Sequence, residues 1–208
     1  AGIVPQMRPG ARLLLLDPAA AYAQKLPERD DIVYFVSHPC HPPVFNDETT
    51  EEAKRDLFGG SHAKQAIVCA LMQGPEADYE ALEQLACTMY GPILRSHRIT
   101  VEQMATLEPA MAETVAGTCA VVLREALDEA VRRGVPYEAA RDFMLGHIQI
   151  GLAITFEIAG NPYSDAALIA IEYGKKHMLK DNWKDVFLPE KVAETIGYML
   201  EPQRLKID

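Results

Sequence analysis

The residues best placed to do chemistry stand in one short run, His38-Pro39-Cys40-His41-Pro42-Pro43. Three prolines in six residues forbid a helix and remove ladder donors, so the run is a stiff loop. It follows directly on Val33–Ser37, which has the β-branched and aromatic texture of a strand. In open α/β sheets ligands bind at the carboxyl ends of strands, which puts His38 and His41 at the mouth of a site. An imidazole there can ligate a metal or move protons near neutral pH. The plainer alternative is a rigid loop whose histidines are only hydrogen-bonded. Cys40 between them suggests a structural zinc knuckle, but no second Cys/His cluster of finger-like spacing completes one.

A second candidate is Glu113. Its neighbours three and four positions away are Pro109, Ala110, Ala116 and Gly117, so no cation on its own helix pairs with it. On so apolar a helix the carboxylate needs a partner from elsewhere, and metal coordination or proton transfer would supply one. The competing reading is a first-turn Glu favoured by the helix dipole or turned to water. Glu108 reads as a helix-boundary residue. Lys64, just after Gly59-Gly60, has the charge to bind a substrate carboxylate, although a lone Lys beside glycines is usually solvated. His62, His97, His147 and His177 are weaker candidates; His147, inside the run GHIQIGLAITF, reads as a satisfied core histidine.

The elements that position these residues fall into two textures. Arg12–Leu16 is a continuous apolar run of strand length, as in sheets buried on both faces, and a helix over Ala19–Leu26 leads to the strand Val33–Ser37. This order suggests the second half of a doubly wound sheet. A short helix follows over Thr50–Leu57, then a strand over Ala66–Met72, a helix from Pro75 to about Tyr90 and an extended segment over Ile93–Thr100. From Val101 the pattern is helical. Pro109 suits the first turn of a long helix to Arg133, Pro136 opens another to about Ile158, Ser164 caps a third through Lys180, and Pro189 opens a fourth. The reading is thus a Rossmann-like α/β remnant over 1–100 and an all-helical domain over 101–208. The stretch Thr114–Leu123 is apolar nearly all round and requires burial within a domain or between subunits, which suggests a homodimer.

Composition narrows the function. With 20 Lys+Arg against 30 Asp+Glu the net charge is −10, which argues against a nucleic-acid or anionic-membrane binder and leaves an anionic substrate in need of a local basic pocket. No apolar stretch approaches a membrane span. Four cysteines, Cys40, Cys69, Cys87 and Cys119, show neither a paired framework nor CxxC spacing, and two lie in apolar runs that read as core; a reducing cytosol fits. The opening residues Ala1-Gly2-Ile3-Val4-Pro5 carry no initiator Met or signal peptide, and the chain reads as beginning inside a domain. The fingerprint GxGxxG is absent, as expected of a chain that opens beyond the first strand-helix turn of such a fold.

The segments LLLLDPAAAYA, YFVSHPCHPPVFNDET, GGSHAKQAIVCALMQGPEADY and RSHRITVEQMATLEPAMAETVAGTCAVVLREALDEAVRRGVP resemble the D-apionate oxidoisomerase family, within the phosphogluconate-dehydrogenase-like group. The resemblance covers nearly the whole chain, from late in the Rossmann domain onward. It implies an N-terminal NAD-binding domain, a helical C-terminal domain that helps form a dimer, and oxidation of a branched sugar acid by NAD⁺ with skeletal isomerisation. It further implies a divalent metal, zinc on this reading, with His38 and Glu113 as ligands. His41 is the candidate for proton transfer. A non-catalytic helical dimerisation fragment, or a metal-dependent reductase or isomerase of another hydroxy acid, are the alternatives.

Overall fold

β1 (Arg12–Leu15) and β2 (Val33–Pro39) run parallel, with Leu13 beside Tyr34, Leu14 beside Phe35 and Leu15 beside Val36. The helix between them, α1 (Ala19–Tyr22), is shorter than its sequence suggests because Gln24 turns into the left-handed region at φ 54° and ends it. The expected parallel strand-helix-strand piece is therefore present. The structure is a computed structural model that describes residues 2–204; Ala1 and residues 205–208 of the two expected domains lie outside the described residues.

β3 (Gln65–Gln73) runs antiparallel to β2 and parallel to β4 (Ile93–Arg98), giving the order β1-β2-β3-β4 with β1 and β4 at the edges. The connection from β2 to β3 contains only α2 (Glu51–Arg55) and returns at the same end of the sheet, where the Cys40 amide donates to the Ala66 carbonyl at 2.9 Å. With no crossover, the next strand has to run back. The two faces follow the alternation of side chains along a strand. Val33, Phe35, Ile67 and Cys69 pack on Tyr79, Leu82 and Ala86 of α3 (Tyr79–Tyr90). Val36, Val68 and Ala70 pack on Ala21 and on Val101 and Met104 of α4 (Val101–Ala105).

The long helix starts eight residues before the Pro109 first turn expected from sequence. Thr100 and Gln103 form a reciprocal cap: the Gln103 amide donates to Thr100 Oγ1 at 3.2 Å and the Thr100 amide donates to Gln103 Oε1 at 2.9 Å. Pro109 instead lies inside a π-helical stretch, Thr106–Gly117, whose wider turn absorbs a residue with no N–H to donate. α5 (Thr118–Arg132) continues from it. Thr100→Ala should cost about 1 kcal/mol of stability, seen as a lower urea midpoint at unchanged m-value.

The chain forms two compact units, one of Ala1–Met111 with Pro189–Asp208 and one of Ala112–Leu188. In the first, α8 (Pro189–Leu200) buries Val192 and Ile196, and Tyr22 donates its hydroxyl to the Pro189 carbonyl. The second contains α5, α6 (Tyr137–Thr155) and α7 (Asp165–Met178), the last capped by Ser164, whose Oγ accepts from the Ala167 amide at 3.3 Å. Its buried apolar residues are Leu127, Ala140 and Ala153, while Val121, Phe143, Phe156, Ile169 and Met178 stay exposed. His147 is not a core residue: it is exposed, stacked on Phe143 at 3.9 Å, with Nδ1 on the Phe143 carbonyl. Cys119, Ala120, Val121 and Leu123 of the apolar stretch are likewise exposed, so their own unit does not cover them. All four cysteines are free, Cys69 alone being buried. Among the described residues no helix is long and apolar enough to cross a membrane.

Candidate active site

His38 follows Val36 on the α4-covered face of β2, and the register, which pairs Leu15 with Val36, brings the residue after β1, Leu16, to the level of Ser37, next to His38. The Leu16 carbonyl lies 2.8 Å from His38 Nδ1. A carbonyl only accepts, so Nδ1 carries a proton, and Nε2, which donates to the Glu108 carboxylate when protonated, is the nitrogen whose proton can be given up. Nε2 points at Glu108 Oε2, 3.1 Å away, in a pair that is mostly but not fully covered, with side-chain exposures of 19% and 21%. Glu108 arrives from the π-helical stretch, next to Leu107, which packs on the same face. Burial alone would lower the His38 pKa, but the Glu108 hydrogen bond, the Leu16 carbonyl and the charges of Glu108 and Asp17 together raise it. The same hydrogen bond holds the Glu108 carboxyl below its usual range against burial, helped by the charges of His38 and His41.

His41 has a backbone φ of 61°, and its Nδ1 lies 2.9 Å from the Phe58 carbonyl. Its ring centroid is 6.3 Å from that of His38. Burial and the Glu108 charge push the Cys40 thiol up, which keeps it protonated. Among the described residues no group of three or more His, Cys, Asp or Glu side chains is arranged to hold a metal ion. What converges is one imidazole nitrogen and one carboxylate oxygen. Glu113 belongs to the second unit, where it is exposed; the carboxylate that reaches His38 is Glu108. Lys64 and His62 are exposed near the start of β3.

The connection between β2 and β3 is organised by Asp56. Its Oδ1 accepts from the Gly59 amide at 3.0 Å, and Oδ2 accepts from the amides of Ser61, His62 and Ala63 at 3.2, 2.8 and 3.1 Å. The His62 and Ala63 amides foremost, then those of Ser61 and Gly59, hold the Asp56 carboxyl below the usual carboxylate range, against a burial effect of opposite sign. Since the folded value lies below the unfolded one, this stabilisation is present above about pH 4 and is lost as pH falls through the folded value. Amide spectra recorded on descending pH should show the signals of residues 57–63 broaden first. Unchanged signals down to global acid unfolding would contradict this.

The role of Glu108 escaped the sequence reading, although a signal existed. Val101, Met104, Ala105 and Glu108 fall at i, i+3, i+4 and i+7, a carboxylate completing a buried stripe.

Comparison with known proteins agrees with this layout. Residues 46–200 match the family described as phosphogluconate dehydrogenase (decarboxylating), C-terminal. The D-apionate oxidoisomerase of Rhizobium rhizogenes is 53% identical over 94% of this chain and 71% of its own length, and that of Cupriavidus necator is 55% identical over the same shares. A semialdehyde dehydrogenase NAD-binding protein from Cupriavidus necator, solved in complex with calcium and NAD, superimposes with a TM-score of 0.91 at 54% identity, covering 94% of this chain and 71% of that one. An NADH-preferring ketol-acid reductoisomerase from an uncultured archaeon shares the fold alone, at a TM-score of 0.61 and 15% identity over 97% of this chain and 60% of that one. The conserved fold, the extent of the match and the level of identity place this chain in the D-apionate oxidoisomerase family, whose C-terminal part is of the phosphogluconate-dehydrogenase type.

Proposed function

We propose that the chain is the greater part of an NAD-dependent oxidoreductase that oxidises a small sugar acid of the D-apionate kind and rearranges its skeleton, with a divalent metal bound at His38. The observation that carries this reading is the setting of His38, with Nδ1–H on the Leu16 carbonyl and Nε2 facing the Glu108 carboxylate. An imidazole oriented by a carbonyl through its far nitrogen is the usual form of a metal-ligating histidine. The Glu108 oxygen offers a second donor. Nitrogen with carboxylate oxygen suits zinc, whereas calcium, found in the Cupriavidus necator protein, prefers an all-oxygen shell. Glu113, the carboxylate implied by family resemblance, is the further ligand of the proposal. Three donors from the protein leave one position open in a tetrahedral shell, which can expand to five for a chelating hydroxy acid, and a bound cation would polarise the oxygen of the reacting hydroxyl or ketone.

The remaining steps belong to the chain's own residues. Phe58 holds the Nδ1–H of His41, so His41 Nε2 is the basic nitrogen that takes the hydroxyl proton while the hydride leaves for NAD⁺. Lys64 supplies the local positive charge for the substrate carboxylate in a chain of net charge −10. The partner is a second copy, because a helical unit that buries only Leu127, Ala140 and Ala153 lacks a core of its own. The test is NADH formation from D-apionate before and after dialysis against a chelator, with zinc added back. Full turnover by the metal-stripped enzyme would remove the metal from the proposal, and no NADH with any sugar acid would favour the dimerisation-fragment reading.

A further inference from the structure

We propose that Asp56 is a positioning residue for His41, acting through the loop it closes; this rests on the reading that His41 takes the proton. The Asp56 carboxylate gathers the amides of Gly59, Ser61, His62 and Ala63, so the backbone on both sides of the loop tip is tied to one side chain. Phe58 lies inside the closed segment. Its carbonyl accepts from His41 Nδ1 at 2.9 Å, and its ring meets the imidazole edge to face with centroids 5.9 Å apart.

The loop is pinned from the opposite side as well. Gly59, at φ 78°, sits against the side chain of Gln65, where an added Cβ would come within 2.5 Å. Gln65 is buried, its Nε2 donating to the Tyr90 carbonyl at 2.8 Å and its amide to the Pro92 carbonyl at 3.1 Å. Fixed contacts therefore run from the start of β3 through Gly59 to Phe58 and on to His41. At its own end of this path His41 is in the left-handed region, which a residue other than glycine keeps only where its surroundings enforce it.

The consequence concerns which nitrogen of His41 carries the proton. As the Phe58 carbonyl can only accept, the neutral ring is the Nδ1–H tautomer, and the lone pair stays at Nε2. Asp56→Asn removes the charge and one of the two acceptor oxygens, releasing part of the amide set and with it the orientation of the Phe58 carbonyl. The His41 ring then samples both tautomers, so only part of the population presents a basic Nε2.

Long-range ¹H–¹⁵N spectra of the labelled enzyme report the tautomer directly. In the unmodified enzyme neutral His41 is expected as Nδ1–H; the Nε2–H form would overturn the proposal whether or not any variant folds. Asp56→Asn, with its overall amide spectrum preserved, is expected to show mixed His41 tautomers and a kcat lower by about 3- to 10-fold, in proportion to the lost Nδ1–H fraction. KM for the sugar acid should stay within about twofold, because the contact acts in the chemical step. An unchanged His41 signal with unchanged kcat would overturn the role of Asp56. Full turnover by His41→Gln would instead overturn the proton-transfer role beneath it, while leaving the tautomer measurement intact.

Discussion

Replacing Glu108 by Gln is expected to weaken divalent-metal binding by at least about 100-fold and to lower metal-dependent turnover in proportion, with NAD binding unchanged. The substitution preserves size and removes the negative charge that faces His38 Nε2 at 3.1 Å. With that charge gone, the proposed shell has one anionic donor fewer and holds the cation less tightly against water. His38→Ala should have the same effect, since it removes the nitrogen that the Leu16 carbonyl orients. Glu113→Gln is expected to abolish metal-dependent turnover as well. Metal content after gel filtration, read beside the NADH rate, separates the three. A Glu108→Gln enzyme that keeps its metal and its rate would reduce the His38–Glu108 pair to a structural ion pair.

The second large effect concerns assembly. Light scattering at micromolar concentration should give twice the 23.0 kDa chain mass. The exposed side chains of the second unit include Phe143 at 68% and Ile169 at 73%, large apolar groups that water covers only at a cost. Placing a carboxylate there, as Phe143→Asp or Ile169→Asp, should raise the dimer dissociation constant by about 30-fold or more for each position that sits centrally in the contact. A clean monomer in the unmodified protein would end the proposal.

Much of the fold could be read from residue patterns. The run Arg12–Leu16, the alternation in Val33–Ser37 and the stops at Gly and Pro located strands and helices, because burial on both faces and backbone restriction leave a local trace. The direction of β3 did not show, since antiparallel pairing depends on which end of the sheet the connection returns to. Nor did the start of the long helix, where Pro109 gave a strong local signal for a first turn. The Thr100–Gln103 cap, with Thr100 nine residues earlier, had already fixed the helix, and the π-helical turn made room for the proline. At the candidate site, the placement of His38 and His41 at a strand end was legible from the prolines and the strand texture. The hold on each ring is a backbone carbonyl, from Leu16 and from Phe58, and a carbonyl leaves no mark in side-chain chemistry. Glu108 was visible in principle as the polar member of a buried stripe, but the adjoining proline drew the reading towards a helix boundary.

β1 has a consequence for handling the protein. It is an edge strand of four residues, three of them consecutive leucines, with no proline or bulge along it. Its one charge, Arg12, is paired with Asp78. Such an edge offers a row of backbone donors and acceptors to any extended segment that meets it, without the lysines or bulges that usually blunt one. For this chain taken alone, the leucines of one copy can add to those of another, so its soluble fraction is expected to depend on what covers this edge.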